Sequence, residues 1–119
     1  MESSLSIFRR YAAGDRDFRG LDIEDLPGEA PFNGAILGGA DFSGAWILVD
    51  FSHSRLRGAQ FVEANVKTCS FDDADLQRAD FSRAALCATT FARASMDDAV
   101  FEGACYHSYV LARGQRPDW

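Results

Sequence analysis

The sequence predicts a solenoid, a chain wound into a stack of similar coils, and two observations carry that expectation. From Phe51 onward a large apolar residue returns every five positions: Phe51, Leu56, Phe61, Val66, Phe71, Leu76, Phe81, Leu86, Phe91, Met96, Phe101, Tyr106 and Leu111. Two residues before most of these stands a small one, as at Ser54, Ala59, Ala64, Cys69, Ala74, Ala79, Ala84 and Thr89, and upstream the couple appears as Ala30/Phe32, Ala35/Leu37, Ala40/Phe42 and Ala45/Ile47. A five-residue period fits neither the 3.6 of a helix nor the 2.0 of a strand, so it belongs to another regular winding.

Units such as Ala74-Asp75-Leu76-Gln77-Arg78 and Ala79-Asp80-Phe81-Ser82-Arg83 resemble the pentapeptide-repeat family, whose unit is Ala-(Asp/Asn)-Leu-x-x with the small and the large residue both inward. The resemblance covers about Phe18 to Arg113, and Arg10 to Phe18 looks like the opening segment of such proteins. It implies an all-β solenoid, a right-handed quadrilateral β-helix with one pentapeptide per side and four per coil. With a rise of about 4.8 Å per coil, the strand spacing, about five coils make a stub roughly 24 Å tall.

The sequence tests the four-unit coil itself. Taking every fourth large residue gives Phe32, Phe51, Phe71, Phe91, Leu111; then Leu37, Leu56, Leu76, Met96; then Phe42, Phe61, Phe81, Phe101; then Ile47, Val66, Leu86, Tyr106. Two opposite sides therefore carry phenylalanine and the two between carry mainly aliphatic chains, the sorting a narrow filled core needs. Two irregularities follow. Ile47 to Phe51 is one residue short, which predicts a tightened corner at Leu48, and Glu24 to Glu29, with Pro27 and Gly28, predicts a distorted side on which Leu26 has no assigned place. The small position is also broken in the column Val49, Cys69, Thr89, Tyr109, where a buried Thr89 hydroxyl would need a backbone carbonyl.

A solenoid has two open ends with unpaired backbone. Residues 1–14 are expected to form a short capping helix, with Ser3 or Ser4 as N-cap, Leu5, Ile7, Phe8, Tyr11 and Ala12 on one face and Gly14 ending it. The β-helix is expected over 15–113. Tyr106 and Tyr109 are candidates for a plug at the far end, and the tail 114–119 is too short and polar for a second helix, leaving Trp119 to fold back or that end to meet another molecule.

Composition bounds the function without naming it. The 119 residues carry a net charge of −6 and a single lysine, Lys67, so direct binding to phosphate backbones is disfavoured. There is no apolar run long enough to cross a membrane and no leader pattern at the start, and a cytoplasmic protein is expected. Cys69, Cys87 and Cys105 have neither disulfide nor zinc spacing and read as small hydrophobes. No nucleophile-and-base, metal or phosphate-loop motif is present. His53 and His107 fall on different corners, and Asp41, Asp50, Asp75 and Asp80 occupy the polar position beside the core. Asp72, Asp73, Asp97 and Asp98 could meet on one edge, but a filled, convex solenoid shields no pocket. No catalytic residue, cofactor or metal is expected.

The expected role is a non-catalytic interaction or scaffold module for an unidentified protein partner. Its candidate patch is Ile36, Trp46 and Leu48, outward near the short corner, unless the amino-terminal segment covers Trp46. A candidate end contact is Val100, Cys105, Tyr109 and Val110, through which the chain, otherwise a monomer, would dimerise by its last coil. The alternative is implied by the resemblance alone: some relatives mimic DNA and act on type II topoisomerases such as DNA gyrase. Against it stand the few coils, the arginines on the edges and the lack of a hydrophobic carboxy-terminal helix.

Overall fold

In the computed structural model, residues 1–117 are described. The expectation that Trp119 folds back lies outside the described residues.

Each repeat is built around one turn. The N–H of the small residue donates to the carbonyl of the large residue three before it, as from Ala74 to Phe71, Ala79 to Leu76 and Ala84 to Phe81, each at 3.0 Å. The residue just before the small one has positive φ: Asp73 +59°, Arg78 +59°, Arg83 +58°. Positive φ at the third residue is the mark of a type II turn, which normally takes glycine there. Ten non-glycine residues among the described ones adopt it, each at roughly 1–2 kcal/mol.

The residue after the small one reaches the neighbouring coils. Asp75 bridges Arg55 on one side and Ser95 on the other, and all such bridges are parallel. They fall into four columns, headed by Ile36–Arg55–Asp75–Ser95, Asp17–Asp41–Gln60–Asp80–Val100, Trp46–Asn65–Ala85–Cys105 and Asp50–Ser70–Thr90. Because the turn consumes most of each unit, pairing is mostly by isolated bridges, and continuous strands are few.

Strands form where a turn is missing. Along the Trp46 column, β1 (Glu2–Ser3), β2 (Asp22–Glu24) and β3 (Trp46–Leu48) make a parallel sheet with Ile23 opposite Ile47. Positive φ occurs at Gly44 and next at His53, so no turn of this kind interrupts β3. The short corner expected at Leu48 is thus not a tightened turn but an extended segment. Before it, the step from Asp17 to Asp41 is longer than the later steps, such as Asp80 to Val100. The excess is the loop 25–31, where Leu26 and Ala30 are exposed. Ala30 therefore does not pack inward as its pairing with Phe32 suggested.

The core is two stacks of rings. Phe42, Phe61, Phe81 and Phe101 lie 5.2, 4.7 and 5.0 Å apart, centroid to centroid. Phe32, Phe51, Phe71 and Phe91 lie 5.4, 4.8 and 5.4 Å apart. The stacks meet edge to face, Phe61 against Phe71 at 5.5 Å and 87°, a favoured aromatic arrangement. Leu37, Leu56 and Leu76 fill one flank, and Ile47, Val66 and Leu86 the other. The irregular small column is satisfied internally: the Thr89 hydroxyl donates to Val66 O at 2.8 Å, and the Cys69 thiol to Ile47 O at 3.1 Å.

At the amino-terminal end, α1 (Ser4–Ala12) is capped by Ser3, whose Oγ accepts from Ser6 N at 3.2 Å. Its inward row is Ser4, Ile7 and Tyr11. Ile7 joins the core, Ser4 donates to Asp25, and the Tyr11 hydroxyl donates to Gly38 O at 2.7 Å. Phe8 and Ala12, expected on that face, are exposed, because the contact is a narrow row spaced by about one turn.

The other end departs further from expectation. β4 (Cys105–Tyr106) and β5 (Tyr109–Val110) pair antiparallel. The chain turns back instead of beginning another coil, so Tyr109 points away from the core, more than half exposed, and no tyrosine plug forms from it. Leu111 is buried, but its backbone bonds to Gly103 and Ala104 within the hairpin. Residues 114–117 return across the stack edge, with Arg116 donating to Met96 O at 3.1 Å.

Phe61→Ala should lower stability by about 3–5 kcal/mol, since four rings lose a neighbour; denaturant unfolding measures this. Thr68→Gly, at φ +64°, should instead raise stability by about 1 kcal/mol by relieving a β-branched residue in the left-handed region, read as a higher melting temperature.

Candidate interaction surface

Strand alternation positions the Trp46 face. With Ile47 inward, Trp46 and Leu48 must point out, and they are 65% and 55% exposed. β2 repeats the pattern with Ile23 inward and Asp22 and Glu24 outward, and the next coil repeats it with Val66 inward and Asn65 and Lys67 outward. Two outward rows result. One runs Asp22, Trp46, Asn65. The other begins Glu24, Leu48 and continues to Lys67, two residues beyond Asn65. A shallow depression of about 510 Å³ lies over these rows, with Met1 at its margin. The amino-terminal segment does not cover Trp46, since β1 pairs beside β2 instead of lying across it.

Ile36 is also exposed, but it belongs to the Arg55–Asp75 column, with the Asp41 column on one side and the Asp50 column on the other between it and Trp46. It borders a separate depression with Arg55, Arg57 and Asp75. The structure thus brings Trp46 and Leu48 together and leaves Ile36 on the opposite side. At the far end, Cys105, Tyr109 and Val110 share the hairpin, Cys105 opposite Val110, while Val100 sits in the adjacent column on Asp80. Tyr109, Val110 and Val100 are exposed and Cys105 is half-buried.

The acidic residues beside the core are held by turns, and two of those at the edge by the neighbouring coil. Asp41, Asp50, Asp75 and Asp80 each accept from the backbone N–H two residues on. Asp72 accepts from Ala92 N, and Asp73 binds Arg93 at 2.7 and 2.9 Å. Asp98 lies on another corner, in line with Arg78, so the four carboxylates suggested for one edge do not converge. Ion pairs along the corners are few: Glu63 meets Arg83 at 3.1 Å and His53 approaches Asp73 at 3.9 Å, and among the described residues no ion pair joins Arg78 to Asp98.

These environments shift several groups. Hydrogen bonds from the Arg19 side chain and backbone hold Asp17 down to about 2, and the Arg93 guanidinium holds Asp73 below the usual carboxylate value. Burial pushes the Cys69 thiol up to about 12, leaving it inert at neutral pH. Among the described residues no three metal-ligating side chains converge, and no helix is long and apolar enough to cross a membrane.

Residues 69–105 match a family model for pentapeptide repeats, in eight copies. The chain carries pentapeptide repeats. Among solved structures it is similar to a pentapeptide-repeat protein of the Arabidopsis thaliana thylakoid lumen, with 33% identity and a TM-score of 0.51 over 61% of this chain. It spans 66% of that protein's length, just under two thirds. A pentapeptide-repeat protein from Nostoc PCC 7120 matches at 27% identity with a TM-score of 0.42, covering 87% of this chain and 79% of that one. No curated protein matches by sequence. Proteins of this family are in general structural or interaction modules and not enzymes.

A carboxyl with a lowered folded pKa stabilises the pentapeptide-repeat fold above its unfolded value, and that contribution disappears as pH falls through the folded value. For Asp17 the window runs from 3.8 down to about 2. Thermal melts should therefore weaken across that window, and Asp73→Asn should lower the melting temperature at neutral pH more than at the acid end.

Proposed function

We propose that this pentapeptide-repeat chain is a non-catalytic protein-interaction module, a right-handed quadrilateral β-helix of about five coils closed at its amino-terminal end by α1. The Trp46–Leu48 row is its contact surface. The supporting observation is that two large apolar side chains stand side by side, more than half exposed, on β3, one of the two three-residue strands among the described residues. Exposed apolar clusters mark contact sites, and tryptophan is enriched among residues that dominate binding energy. Outward from a filled core, the convex faces offer rigid placement and no sheltered chamber for chemistry.

In a Trp119→Phe variant, Trp46 fluorescence should be readily quenched by acrylamide, and a protein captured from the native host should be lost on Trp46→Ala while the melting curve stays unchanged. Resistance to quenching would remove the surface. The purified chain should leave gyrase supercoiling unaffected, whereas inhibition would favour the DNA-mimic alternative.

A further inference from the structure

The two rows of the Trp46 face have an order that random surface does not require. Reading from the amino-terminal coil onward, one row goes from an acid through a large apolar residue to an amide, Asp22, Trp46, Asn65, and beside it Glu24 pairs with Leu48, which shares the depression with Lys67, two residues beyond Asn65. The acid and its counterpart lie one coil to either side of β3, so the apolar row sits midway between them. Lys67 is the chain's single lysine. Among the described residues Lys67, Glu24 and Asp22 are in no ion pair of this chain, although all three lie on the same face.

A surface with this order is complementary to itself. Consider a two-fold axis lying in the contact plane and running along β3. Rotation about it reverses the coil direction and preserves position along the strand. Trp46 then faces Trp46 and Leu48 faces Leu48, while Lys67 of each copy faces Glu24 of the other and Asn65 faces Asp22. Every polar contact occurs twice, as an isologous interface requires. The other in-plane axis, along the solenoid, would set Glu24 against Asp22, like charge on like, and is disfavoured. We propose that the Trp46 face is a self-association surface, on which a second copy of this chain docks side by side with its coils running in the opposite direction. This inference rests on the reading of that face as a contact surface and specifies its occupant. It is distinct from end-to-end contact through the hairpin, which would use Tyr109 and Val110.

Sedimentation equilibrium of the full chain tests it. The wild type should be a dimer at high concentration, and Trp46→Ala should be a monomer with an unchanged melting curve. Lys67→Glu and Glu24→Lys should each weaken association at least about tenfold, because each places like charges opposite one another twice. Mixed together, these two single variants should form a heterodimer, since both of its polar contacts are again opposite in sign. A wild type that stays monomeric up to its solubility limit overturns the proposal. So does a dimer indifferent to Trp46→Ala, or a mixture of the charge variants that fails to associate. A monomer that still loses its host partner on Trp46→Ala would overturn self-association while leaving the contact-surface reading standing; loss of neither would remove both.

Discussion

Stacking of phenylalanine in two columns that meet edge to face is the constraint on which the rest of this structure depends. Rings spaced by about one strand separation fix the rise between coils, so the backbone bridges form at the height the rings set. Edge-to-face contact between the columns, as between Phe61 and Phe71, fixes the width of the cross-section. Alanine at the small positions, such as Ala59, Ala64, Ala79 and Ala84, is fully or almost fully buried. Larger side chains there would compete with the rings for a space already filled.

That packing holds the corners in an unfavourable backbone conformation. His53, Asp73 and Arg93 share one corner in the left-handed region, where glycine would be unstrained. What the non-glycine residues add is outward chemistry: the Arg93–Asp73 pair and the nearby His53 form a ladder along that corner. Exposed ion pairs of this kind contribute little individually, so the buried rings carry the corner strain. The same economy explains why sheet is sparse. A unit that spends itself on a turn can pair through one residue, and the intervals without a turn, at β2 and β3, extend into three-residue strands.

The candidate surface is a consequence of that missing turn. Without it, Trp46 and Leu48 become alternate residues of one strand, both outward, on a side where β2 and the following coil supply polar neighbours in register. A one-residue deletion thus does more than shorten a coil. It flattens one side and lines up an apolar row between acidic and basic or amide rows.

Period, inward couples, four columns and the sorting of phenylalanine onto two sides were legible in the residues, because a repeated unit states the same packing requirement many times over. The need for a carbonyl under Thr89 was legible for the same reason, and the structure supplies it from Val66. Exceptions were less legible. Ile36 was grouped with Trp46 by closeness along the chain, yet the winding places them on opposite sides; Tyr109 was assigned inward by counting fives, yet the chain turns back on itself at His107. By itself, the sequence determined the winding and its core, since burial at fixed spacing leaves one economical solution. Tertiary structure alone decided which side each outward residue occupies, whether a short corner becomes a turn or a strand, and how the last coil ends, because these depend on contacts between coils that no single repeat contains.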